Sequence, residues 1–102
     1  MSAVDGWSGR VDLPIDASTL RWHQWVRAAE AANAPGVAVL GFACDEGVRR
    51  NHGRVGAAEG PAALRRMLSN LPVLNAAPLF DAGTITCADG DLEAAQTRYA
   101  DA

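Results

Sequence analysis

A chain of 102 residues with 49% hydrophobic composition fits one small globular domain or part of a larger one, and excludes a disordered tract. Nine basic against twelve acidic residues leave a formal net charge of −3, and no basic tail marks a nucleic-acid partner. MSAVDGWSGR has no apolar signal core and no apolar run reaches spanning length, so a cytoplasmic protein without a membrane partner is expected.

Residues 1–17 read as irregular. Ser18 predicts the N-cap of a helix over residues 18–33, with Trp22, Trp25, Val26 and Ala29 on one apolar face and Arg21 and Arg27 solvated. Asn33 and the Pro35-Gly36 pair end it. GVAVLGFA lacks alternation and is bounded by breakers, which predicts a fully buried strand. Pro61 suits the first turn of a second helix. Its expected inner face is Leu64, Leu68 and Leu71 with Met67 beside them, and Arg65 and Arg66 lie off that face.

A short strand is expected over residues 78–81, followed by a loop through TITCADGD in which an extended piece is the alternative. Asp91 or Gly90 then caps a helix in DLEAAQTRYA, with Leu92, Ala95 and Tyr99 on one face. The order helix, strand, helix, strand, helix predicts an α/β fold with a parallel βαβ unit. Two parallel strands need cover and further neighbours. The chain is therefore expected to be part of a larger domain, and by itself to self-associate or to be complemented by the missing part.

The chemistry concentrates in CDEGVRRNHGRVGAAEGP, residues 44–61, a connection longer than most α/β loops. It carries no GxGxxG and no GxxxxGK[ST], and the chain has no Lys, so a phosphate loop is not expected. His23 reads as a non-catalytic helix residue and His52 as an exposed loop residue, and the two do not form a transition-metal pattern. Cys44 and Cys87 read as free thiols, Cys44 as a small buried hydrophobe, and the three Trp as packing groups.

Asp45 and Glu46 follow the first strand, at the end of an open α/β sheet where ligands bind. Asp45 can do acid/base work, or hold the loop by accepting backbone N–H bonds, which is the favoured role; Asp81, near the other strand end, divides the same way. Glu46 reads as solvated. An Arg fork matches a carboxylate substrate, and Asn offers both a donor and an acceptor. Among Arg49, Arg50, Asn51 and Arg54, the last two are the stronger candidates for ligand contact or loop organisation.

GVAVLGFACDEGVRRNHGRVGAAEGPAALR, with WSGR, RWHQ and LFDAG around it, resembles the N-terminal part of the formimidoylglutamases, ureohydrolases of the arginase and agmatinase superfamily. The resemblance covers nearly the whole chain. It implies an N-terminal fragment of a three-layer α/β/α arginase-like fold with a mostly parallel sheet, residues 1–102 forming the first portion of a single domain. It implies a complete protein that uses two manganese ions to hydrolyse N-formimidoyl-L-glutamate, a small acidic substrate, to L-glutamate and formamide in histidine degradation. The family's DAHxD and DxDxxDP metal motifs do not occur here, so no catalytic residue or metal ligand is expected in this chain, and by itself it is expected to be inactive. Asp45, Asn51 and Arg54 are expected in the substrate-binding or active-site loop. The alternatives are another ureohydrolase, such as a guanidinobutyrase or agmatinase, and a non-catalytic α/β interaction module.

Overall fold

The computed structural model describes residues 4–74 and 77–102. The elements run α1 (Trp22–Trp25), β1 (Arg27–Ala28), β2 (Val37–Cys44), α2 (Glu46–Arg50), α3 (Gly60–Leu68), β3 (Leu79–Cys87) and α4 (Leu92–Asp101). Single 3-10 turns lie at Ala29–Ala31 and Ala57–Glu59. The strands form one sheet in the order β1-β3-β2, mostly parallel, and the fold is α/β. β1 pairs with β3 in parallel, Arg27 opposite Phe80 and Ala28 opposite Asp81. No helix among the described residues is long and apolar enough to cross a membrane.

The chain divides into two compact units, each made of two separate segments: residues 1–39 with 62–82, and residues 40–61 with 83–102. The first unit is built around Trp7, Val26 and Leu79, with Val4, Trp22, Trp25, Val39 and Leu68 packed against them. Its centre also holds a charged group. The Arg65 guanidinium donates to Asp81 from Nε at 2.9 Å and from Nη2 at 3.1 Å. The Trp7 indole N–H donates to the same carboxylate at 2.6 Å, across 74 residues of sequence. Trp7, Arg65 and Asp81 are each less than a tenth exposed. A buried carboxylate with this many donors satisfies the requirement that a buried charge be paired and hydrogen-bonded.

Three expectations change here. The helix over residues 18–33 shrinks to the four residues of α1. The backbone of this stretch finds partners elsewhere: Trp22 N–H donates to the Leu71 carbonyl, His23 N–H to that of Ser69, and Arg21 bridges Pro72 in antiparallel fashion. Val26 is already extended, and the next two residues join the sheet. Long-range backbone pairing has overridden the helical pattern even though Leu20, Arg21, Ala28, Ala29, Glu30, Ala31 and Ala32 are good helix formers, because propensity is a weak preference beside tertiary contacts. Second, β2 matches the expected strand but is not fully buried, since Val37 and Ala38 are exposed and only Cys44 is buried. Third, α3 turns a different face inward. Arg65 is buried, whereas Leu64 is 57% and Met67 76% exposed. Leu68 still packs against the core, and the pairing of Arg65 with Asp81 leaves Leu64 and Met67 outside, because an unpaired buried carboxylate costs more than two exposed apolar side chains.

In the second unit β3 runs on past residue 81 through TITC, so the extended alternative holds for the first half of the expected loop. Asp91 caps α4 as expected, accepting from the Ala94 N–H at 3.0 Å. Ala95 is fully buried, and Tyr99 meets Phe42 of β2 edge-on at 5.2 Å between ring centres.

Candidate functional site

A cavity of about 430 Å³ opens within the second unit at the carboxyl ends of β2 and β3. Asp45, Glu46 and Arg49 line it from the β2 side, Thr86 and Cys87 from β3, and Ala58 and Gly90 from the loops. Its place and size suit a small ligand in an open α/β sheet. The first unit also has a hollow, of about 330 Å³, whose described lining carries no charged side chain.

Asp45 takes the loop-holding role. Its side chain does not cap α2, which begins at the next residue. Oδ1 instead reaches across the loop to accept from the Gly56 N–H at 2.9 Å and the Ala58 N–H at 2.8 Å. These bonds, Ala58 first and Gly56 second, hold the carboxyl below its ordinary value, because they favour the charged form. Gly56 has φ +154°, a conformation that L side chains avoid. The loop from 51 to 58 is thereby folded back and tied to the end of β2.

Glu46 was expected to be solvated and is buried at 7% exposure. Arg49 grips it side-on, with Nε to Oε1 at 2.8 Å and Nη2 to Oε2 at 2.5 Å. Arg50 adds Nε to Oε2 at 2.8 Å and continues to Glu93 through Nη1 at 2.6 Å and Nη2 at 3.2 Å. These donors, Arg49 first and Arg50 next, bring the Glu46 carboxyl down from 4.5 to about 2. A depressed carboxylate stabilises the fold above its unfolded value, and that contribution fades as pH falls through the folded value. Acid titration followed by far-UV circular dichroism is therefore expected to show loss of structure between about pH 4.5 and pH 2, and Glu46→Gln should flatten that segment. A wild-type curve indistinguishable from that of Glu46→Gln would contradict the role given to this pair.

The other sequence candidates lie outside the cavity lining. Asn51 ends α2, its backbone N–H donating to the Gly47 and Val48 carbonyls, and its side chain is exposed. Arg54 is exposed and, among the described residues, has no ion-pair or hydrogen-bond partner. His52 is exposed in a left-handed conformation at φ 58°. His23 contacts the Arg10 carbonyl through Nε2 at 2.7 Å, in the first unit. Cys44 and Cys87 are free thiols. Burial, and then a hydrogen bond with the Cys44 thiol, push the Cys87 thiol above its ordinary range.

No family model matches the sequence. Curated relatives do. A formimidoylglutamase of Chromobacterium violaceum is 59% identical over 92 residues, covering 90% of this chain and 30% of that protein. This chain is similar to the formimidoylglutamases over most of its length. One from Ralstonia nicotianae is 56% identical over 92 residues, covering 88% of the chain and 28% of the relative. Another, from Aeromonas salmonicida, is 48% identical over 103 residues, covering 99% and 33%. The chain thus spans about a third or less of the formimidoylglutamases it matches.

Among the described residues no three His, Cys, Asp or Glu side chains converge as a metal-binding group would require. The loop that carries the formimidoylglutamase resemblance divides in a way its sequence does not announce. Arg49 and Glu46 reach the cavity; Asn51 and Arg54 do not. The available signal was spacing, since Glu46, Arg49 and Arg50 stand at i, i+3 and i+4, where helical neighbours meet.

Proposed function

We propose that the complete protein, whose N-terminal portion this chain supplies, hydrolyses N-formimidoyl-L-glutamate to L-glutamate and formamide in histidine degradation in the cytoplasm. The observation that carries this reading is the 59% identity to a formimidoylglutamase over 90% of the chain, which includes the whole loop behind the cavity. The chain's part in the reaction is to wall the substrate site. Asp45 ties the loop down through two backbone bonds, and Asn51 and Arg54, outside the cavity lining, are proposed to act on the acidic substrate only through the loop that carries them. Two manganese ions are proposed for the complete protein. The described side chains do not fit a metal cluster, so no step through the metal is derived from them, and the chain by itself is proposed to be inactive.

The test is an assay of the complete protein for formamide and L-glutamate, with agmatine and guanidinobutyrate as competing substrates. N-formimidoyl-L-glutamate is expected to be preferred. Activity should disappear on chelation and return with manganese, and the 102-residue chain with manganese should release nothing. Preference for agmatine or guanidinobutyrate would overturn the substrate, and release of product by the chain alone would overturn its proposed inactivity.

A further inference from the structure

We propose that Arg49 recognises a carboxylate of the substrate at the carboxyl ends of β2 and β3, through the edge of its guanidinium that Glu46 leaves open; the assignment rests on the formimidoylglutamate reading above.

A guanidinium presents two edges that can each hold a carboxylate, one made by Nε and one Nη, the other by the two Nη groups. Glu46 occupies the first edge of Arg49 through Nε and Nη2. Among the described residues Nη1 has no partner. The side chain is 65% exposed while its Glu46 anchor is 7% exposed, so the fork is held at its base and open at its tip. Such a group loses little further freedom on binding a ligand. Arg49 lines the cavity; Arg50 and Arg54 do not. Arg50 also differs chemically, since Glu46 takes its Nε and Glu93 takes both Nη groups. Arg54 has its charge free but no anchor.

The acidic groups nearby do not cancel Arg49. Glu46 is shared between two guanidinium groups, and Asp45 Oδ1 is taken up by two backbone N–H groups. The Asp45 charge beside the cavity is compatible with a ligand that pairs its carboxylate with a cationic amidine.

The experiment uses the complete protein with Arg49→Gln and Arg49→Lys, each checked for native circular dichroism. KM is measured for N-formimidoyl-L-glutamate and for its α-carboxamide and γ-carboxamide. Arg49→Gln is expected to raise KM about tenfold or more for the diacid and for the carboxamide that keeps the recognised carboxylate. The other carboxamide should not respond. Arg49→Lys should recover only part of the loss, because it keeps the charge without the planar fork. Equal losses on all three substrates would mark a structural role and overturn the proposal, as would no loss on any. If the wild type does not hydrolyse the diacid, the proposed function fails, and calorimetry with L-glutamate, L-glutamine and L-isoglutamine still decides this inference. Selective loss of L-glutamate binding in Arg49→Gln would support it; equal affinity in the variant, or no L-glutamate binding by the wild type, would overturn it.

Discussion

Asp81→Ala is expected to destabilise the protein by about 3–5 kcal/mol, the scale for removing one partner of a buried ion pair. The carboxylate accepts from both Arg65 and Trp7, and all three side chains are buried. Its removal leaves a guanidinium and an indole N–H in the first unit without this acceptor. Whole-domain stability is only about 5–15 kcal/mol, so the variant should sit near its unfolding transition without denaturant. Asp81→Asn keeps an acceptor for Trp7 while losing the charge, and should fall between. A joint Arg65→Met and Asp81→Leu replacement should recover much of the loss, since an apolar pair of similar volume avoids the desolvation cost. Urea unfolding followed by tryptophan fluorescence measures all three, and a wild-type midpoint for Asp81→Ala would refute the account.

Asp45→Ala in the complete protein is expected to lower kcat/KM on the order of a hundredfold, the scale for displacing a positioning element by about 1 Å. The alanine leaves the Gly56 and Ala58 N–H groups without the oxygen that folds the loop back. Asp45→Asn separates two roles. Its amide oxygen can accept the same two bonds, so most of the activity should survive if Asp45 holds the loop. If Asp45 instead moved a proton, asparagine would be as damaging as alanine. Steady-state kinetics on the three proteins distinguishes these outcomes.

The parts of the fold legible in the sequence are those set by local chemistry. Asp91 announced the start of α4 because a cap needs one side chain and a nearby N–H. Pro61 announced α3, and the apolar run before Cys44 announced β2. What failed depended on distant partners. Nothing within residues 18–33 says that the Leu71 and Ser69 carbonyls will take the N–H groups of Trp22 and His23. Patterning likewise placed Arg65 off the inner face of α3. The clue was Asp81, a charge inside the apolar LFDAG, where a buried partner is required. For the site, position after the first strand located the loop and Asp45. Which arginine faces the cavity depended on how α2 turns, and the long loop pattern masked that five-residue helix.

The two-segment construction of both units has a consequence for cutting the chain. Residues 40–61 of the second unit interrupt the first, and residues 62–82 of the first interrupt the second. A single proteolytic nick anywhere from 40 to 61 therefore separates the two segments of the first unit while it divides a segment of the second. Neither unit can be excised as a continuous peptide, and a shorter piece made to study the Asp45 loop would lack the β3 residues that complete its cavity. The smallest genetic unit that can carry this loop is one that runs past Gly90.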